Sequence, residues 1–151
     1  MSEAKGVREV GHFDSPGAGQ IMVDGNIAVI GHITGAVGTT ILDVSDPKKP
    51  RQLAQISIAE GLHSHKAIGK NGLLLVNHEV DPAVRVPGVQ GGLAIYDISN
   101  PGDPKLITFW ACEGHGVHRF TFDGRYAYIS PTMKGFTTNI VVILDLKNPS
   151  K

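Results

Sequence analysis

One seven-residue signature occurs three times in this chain and limits the possible folds more than any other feature. Apolar residues flank an aspartate, and a short polar stretch then ends in proline, at 41–47, 95–101 and 143–149. The aspartates of the signature lie 54 and then 48 residues apart. Self-similarity at a period of about 50 residues is typical of solenoids, propellers and arrays. Such units bury their apolar faces against one another, so the stacking of units sets the fold.

Each unit carries signals for four short strands. Two of the strands are joined by a hairpin dipeptide that favours positive backbone angles, namely Asp24-Gly25, Asn71-Gly72 and Asp123-Gly124. A third strand ends in the signature, where proline cannot donate to a β-ladder. The fourth is an extended segment that opens each unit, at 7–13, 51–58 and 106–112. Because sustained helical periodicity is missing, the chain is predicted to be all-β.

Four-stranded units at this spacing predict a β-propeller arc of three blades. We expect a single propeller unit over 1–151, with blade repeats at 7–50, 51–104 and 105–151. The third blade lacks an outer strand, and the predicted strand at 7–13 belongs to none of the three blades. Three blades cannot close a ring, and bare edges and apolar faces favour association. We therefore expect a second copy of the chain to complete a six-bladed ring as a homodimer, or else a further propeller segment to do so.

The recurring strand followed by Asp-x-Ser-Asp/Asn-Pro, a hydrophobic strand and a glycine turn resembles the LVIVD-repeat family. Its members are β-propellers of bacterial and archaeal origin, many of them without an assigned activity. The resemblance spans nearly the whole chain and implies the fold, whereas function has to be argued from a site. This chain differs from typical members in having three units and in its histidine content.

Composition narrows the class of partner. The chain has 14 basic and 14 acidic residues, a formal net charge of zero and no run of like charge. This balance argues against nucleic acid or an anionic membrane surface as a partner. The apolar runs are too short for a transmembrane helix, and the start lacks the apolar core of a signal peptide. We therefore expect a cytoplasmic protein, in which the single cysteine, Cys112, cannot form an internal disulfide.

Six of the seven histidines fall near one predicted rim. His65 matches His118 and His32 matches His78 in the repeat alignment, while His63 and His115 lie just upstream of the innermost strand. An antiparallel blade starts its innermost strand and ends the next strand at the same edge. We therefore expect His63, His65, His115 and His118 to approach the central channel, with His32 and His78 one strand further out. Imidazole suits Fe, Cu, Zn and Ni. The pattern predicts a transition metal ion (Fe, Cu, Zn, Mn or Ni) and is distantly similar to multi-histidine metal propellers such as carotenoid-cleaving oxygenases.

Three charged residues near these histidines are candidate catalytic groups. Glu79 and Glu113 can orient a ligand imidazole or act as a general acid or base. Arg119 can bind an anionic substrate, or pair with a carboxylate in a neighbouring blade. Because adjacent strand residues point to opposite faces, Glu79 and His78 converge only if a loop has begun. The longest predicted loop, from Glu79 to Gly92, lies on the same rim and suits a lid or a partner contact.

Three functions follow from these patterns. The first is a metal-dependent propeller enzyme whose histidine-lined channel acts on a small organic substrate by oxidative or lyase chemistry. The second is a non-catalytic interaction module in which the histidines are structural. The third is a metal-dependent hydrolase with Glu79 or Glu113 as the base. Metal content separates the first and third from the second.

Overall fold

The all-β prediction is confirmed. The computed structural model describes residues 5–34, 37–84 and 86–150, which form twelve strands in three antiparallel sheets. These three ranges contain no helix, and hence none that could cross a lipid bilayer.

Each sheet corresponds to one repeat, except that the outer strand of the first and second sheets comes from the start of the next repeat. The first sheet consists of β1 Ala18–Asp24, β2 Ile27–His32, β3 Val37–Asp43 and β4 Arg51–Ser57. The second consists of β5 Leu62–His63, β6 Ala67–Lys70, β7 Leu73–Val80, β8 Gly92–Asp97 and β9 Lys105–Ala111. The third consists of β10 Val117–Phe122, β11 Tyr126–Pro131 and β12 Val142–Asp145. As the repeats predict, β4 and β9 open the following units yet close the first and second sheets.

The hairpin signal is clearest between β6 and β7. Lys70 pairs directly with Leu73, so Asn71 and Gly72 form a two-residue loop. Both have positive φ, 54° at Asn71 and 77° at Gly72. Such a turn matches the right-handed twist of its flanking strands, and it fixes the register of β7.

The second sheet lies in the middle of a three-layer stack. Neighbouring residues of β7 point to opposite faces. Leu74 therefore packs with Val29 and Ile41 of the first sheet, while Leu75 packs with Ile129 of the third. Leu74 and Leu75 are both fully buried, which explains why β7 begins as an unbroken apolar run.

The N-terminal segment differs from its prediction. Among the described residues, 7–13 contribute no strand. The outer place of the first sheet is already occupied by β4, so this segment cannot extend that sheet. Phe13 instead packs against the cluster of Ala28, Ile30 and Leu42.

Each sheet has a β-bulge at the same place in its innermost strand. In β10 the extra residue is His118, which has no partner in β11. In the second sheet, residues 64–66 oppose 77–78. In the first sheet, residues 19–20 oppose Gly31. A bulge bends a strand and re-aims its side chains. These three irregularities therefore change the direction of the side chains at 19–20, 64–66 and 118.

Candidate metal centre

Glu79 lies at the centre of three histidines. His63 Nε2 is 3.0 Å from Glu79 Oε2, and His118 Nδ1 is 2.9 and 3.0 Å from Oε1 and Oε2. His65 Nδ1 is 3.6 Å from Oε2. The ring of His65 lies between the other two, with centroid separations of 5.1 Å to His63 and 5.3 Å to His118. The cluster thus combines residues from the second and third sheets.

His63 and His65 are two residues apart, so the alternation of an extended segment directs both towards the same face. His63 is the cross-strand partner of Glu79, and directly opposed residues share a face. Ser64 points away, donating its N–H to the His32 carbonyl at 3.2 Å and its hydroxyl to the Gly38 carbonyl. Because Ser64 is anchored to the first sheet, His65 is directed back towards Glu79.

Glycine allows the third sheet to approach Glu79 closely. Gly116 forms an isolated bridge with Glu79 and has a φ of 102°. A Cβ at Gly116 would lie 2.1 Å from the His78 carbonyl oxygen. Only glycine fits this contact, and it brings His118, two residues further on, within reach of Glu79.

A buried asparagine supports both sides of the cluster. The Asn77 side chain is fully buried. Its Oδ1 accepts from the Lys66 N–H at 2.9 Å, and its Nδ2 donates to the Val117 carbonyl at 2.9 Å. Lys66 follows His65 and Val117 precedes His118, so one amide fixes two histidine-bearing segments. The sequence analysis missed Asn77; the available signal was a polar residue that interrupts the apolar run of β7.

The first sheet supports His65 from the other side. Gln20 N–H donates to the His65 carbonyl at 3.0 Å. A Cβ at Gly31 would lie 2.5 Å from the His65 carbonyl carbon, the Lys66 nitrogen and the Ser64 oxygen. The bulged segment therefore packs directly on the backbone of β2.

The environment of His65 favours its neutral form. Burial is the main cause that lowers the pKa of His65 to about 4, and the positive charge of Lys66 lowers it further. The negative charge of Glu79 acts in the opposite direction and is outweighed. A neutral imidazole has the lone pair that a metal ligand needs.

The donor atoms fit the dimensions of a metal site. Nitrogen or oxygen ligands bind Zn²⁺ at about 2.0–2.2 Å, which places two ligand atoms of one ion about 3–4 Å apart. Suitable atoms of His63, His65 and Glu79 all lie within 4.8 Å of one another. An imidazole and carboxylate set suits Zn, Fe, Ni and Cu, so this group could hold a transition metal ion.

His32 and His78 lie apart from the Glu79 cluster. In the first sheet, His32 Nδ1 is 3.1 Å from the Pro16 carbonyl and Nε2 is 2.9 Å from Thr40 Oγ1, so both ring nitrogens are engaged. His78 points to the opposite face from Glu79, as expected for strand neighbours, and its ring lies 5.2 Å from that of Phe109. Burial lowers the pKa of His78 to about 4.

His115 lies beside the cluster with an exposed side chain. Its N–H donates to Thr132 Oγ1 at 2.7 Å, and its carbonyl accepts from the Val80 N–H at 2.7 Å. It lines a cleft together with Glu79 and His118. His115 is therefore a wall of the site rather than a contact of Glu79.

The remaining candidates are exposed. Glu113 lies between β9 and β10, and Arg119 lies on β10 next to His118. The pKa of Lys66 is lowered by burial and by the positive charge of Arg119, so the two basic residues lie near each other. Cys112, by contrast, is buried, and burial raises the pKa of its thiol.

The second signature decides the kind of repeat. Residues 88–110 match the family model of the LVIVD repeat. The chain carries an LVIVD repeat. The matched stretch contains β8 and most of β9, and the predicted resemblance is confirmed for this repeat, a type associated with β-propellers. No curated protein matches the sequence.

Proposed function

We propose that this protein is a metal-dependent propeller enzyme that acts on a small organic substrate, with oxidative or lyase chemistry at a single transition metal ion. The observation that carries the proposal is the convergence of three histidines from two sheets on the Glu79 carboxylate. His118 is the extra residue of the β10 bulge, and the close contact of Gly116 with the second sheet brings it to Glu79. Bulges are over-represented next to active sites.

Each residue has a distinct role in this proposal. His63, His65 and Glu79 would hold the ion, since one donor atom from each lies within 4.8 Å of the other two. His118 would orient Glu79 through its Nδ1 contact, as outer-shell groups commonly do for metal ligands. Bound there, a transition metal would supply Lewis acidity or redox chemistry.

Elemental analysis of protein purified without chelator tests the proposal. We expect about one transition metal ion per chain, and thermal stabilisation by added Fe, Cu, Zn, Mn or Ni, because a ligand that binds only the folded state stabilises it. The double variant His65→Ala/Glu79→Gln should lose both effects. His12→Ala, whose side chain is 85% exposed, is the matched control. Protein with no stoichiometric metal and no metal-dependent stabilisation would overturn the proposal.

An interaction module is the second candidate. It is favoured by the hydrogen bonds of Glu79 with His63 and His118, which satisfy these groups without an ion. The hydrolase interpretation has less support, because Glu79 lies among the ligands and Glu113 is exposed. The same elemental analysis separates the module from the enzyme.

We also propose that two copies of the chain close a six-bladed ring. The third sheet has three strands, and Val141 and Ile143 at its far end are 75% and 58% exposed. Ile21 and Val23 on β1 of the first sheet are 55% and 59% exposed. Within the chain, sheets pack on each other through apolar faces of this kind. A second copy would cover both ends by repeating the same sheet-on-sheet packing.

A further inference from the structure

The proposed metal centre opens onto a cleft on its third-sheet side. The cleft has a volume of about 290 Å³, and Glu79 and His118 form part of its wall. Thr132 and Asn139 add polar side chains to the same wall. A molecule in this cleft would meet the cluster directly and would be surrounded by polar and apolar groups in similar measure.

A second, open groove adjoins the cleft and is lined by residues of the loop that joins β7 and β8. Its volume is about 430 Å³. The two spaces share Val80, Pro82 and His115 as a common wall. Away from that wall the groove is lined by Asp81, Val84, Val86 and Pro87. The lining thus changes from mixed polar and apolar to mostly apolar with distance from Glu79.

We infer that these two spaces form one substrate pocket, which takes a small molecule with a polar, metal-binding head and a short aliphatic tail. The inference rests on the proposed metal function and adds the class of substrate. Each volume suits a small ligand, since small-molecule sites occupy roughly 300–1,000 Å³. The head lies in the cleft at the ion, beside Glu79 and His118, and the tail lies against the valines and prolines of the loop.

His115 marks the junction between head and tail. Its backbone is held from two sides, by Thr132 Oγ1 and by the Val80 N–H. The backbone of His115 is therefore held in place where the two spaces meet, and its side chain is exposed there. This position makes His115 a residue that positions the polar head rather than a ligand of the ion.

Straight-chain aliphatic hydroxamates of two to six carbons test the inference with Co²⁺-loaded protein. The hydroxamate head binds the ion, and only the tail varies. Each buried methylene contributes about 0.8 kcal/mol of transfer free energy, so we expect affinity to rise about threefold to fourfold per carbon. Calorimetry and the visible spectrum of Co²⁺ report probe binding and metal occupancy separately.

The matched variants are Val84→Asn in the pocket and Leu106→Asn on the outer strand β9. Both residues are exposed, at 38% and 57%, so neither change removes a core contact. Val84→Asn should flatten the dependence on chain length while Co²⁺ affinity stays unchanged, and Leu106→Asn should leave both unaltered. A flat dependence in wild-type protein, or equal behaviour of the two variants, overturns the inference alone. Failure to bind Co²⁺ at all overturns the proposed function, and the inference with it.

Discussion

His118 Nδ1 of the third sheet lies 2.9 Å from Glu79 Oε1 of the second. This contact joins two layers of the stack at the point where the candidate ligands meet. A carboxylate accepts hydrogen bonds and does not donate them, so His118 donates its Nδ1–H to Glu79 in this contact. The contact therefore fixes the orientation of Glu79.

We predict different effects for the three histidines on metal affinity. His118→Ala should weaken binding about 10–100-fold, the usual cost of losing an outer-shell partner. His63→Ala and His65→Ala should each weaken it more, because each removes a ligand atom. Titration with Co²⁺ measures all three. An equally large loss for His118→Ala would show instead that His118 binds the ion itself.

Removal of the Asn77 side chain should destabilise the fold. Asn77→Ala leaves the Lys66 N–H and the Val117 carbonyl without their partner, at a cost of about 2–4 kcal/mol in the free energy of unfolding. Urea denaturation measures this change. The control is Asn139→Ala, since Asn139 is exposed and donates to the Ser130 carbonyl. It should change stability by about 0.5 kcal/mol or less, and equal effects of the two variants would contradict the role given to Asn77.

A methyl group at Gly31 should disturb the metal centre from a distance. In Gly31→Ala the new Cβ would lie 2.5 Å from the backbone of residues 64–66, so the segment that carries His65 has to move. We expect a loss of about 1–3 kcal/mol in stability together with weaker Co²⁺ binding. At Gly102 a Cβ would meet its nearest neighbour at 3.5 Å, so Gly102→Ala should leave both quantities unaltered. Full metal affinity in Gly31→Ala would argue against this packing.

The signature aspartates should make stability fall in acid. Hydrogen bonds from Ser45 and the ion pair with Arg51 lower the pKa of Asp43 to about 2. Because the folded-state pKa lies below the unfolded value of about 3.9, this contribution is present above pH 4 and is lost as the pH falls towards 2. Asp43→Asn should therefore flatten the pH dependence of the unfolding free energy in that window, as measured by urea denaturation from pH 6 to 2. Arg51→Gln should flatten it only in part, and an unchanged profile in Asp43→Asn would exclude this source.

The proposed ring predicts that the protein is a dimer, and that a charged residue introduced at the exposed end of the third sheet disrupts this dimer. Light scattering after size-exclusion chromatography should give the mass of two chains for wild-type protein and of one chain for Ile143→Lys. Leu106→Lys is the control, because Leu106 is as exposed as Ile143, at 57% against 58%, and lies on the outer strand of the middle sheet. A wild-type mass of one chain would rule out closure by a second copy.

The sequence was sufficient to predict most of the strands, their order and part of the candidate site. Repeat alignment placed His65 opposite His118, because equivalent positions in stacked units lie at the same edge. It could not separate His32 and His78 from the others, since an alignment of positions does not show the side-chain partners of His32, which are Pro16 and Thr40. Nor did it predict the bulge at 64–66, which depends on the anchoring of Ser64 to another sheet. The period of the repeat does not indicate which residues of different units contact one another.

The outer strands of the first two sheets carry a consequence for unfolding. Because β4 completes the first sheet while belonging to the second unit, and β9 does the same for the second sheet, no unit can detach without opening its neighbour. Solenoid repeats often unravel one at a time, since each contacts only the next. Here the boundaries of sequence and of structure are offset, so the three units are locked into one cooperative transition.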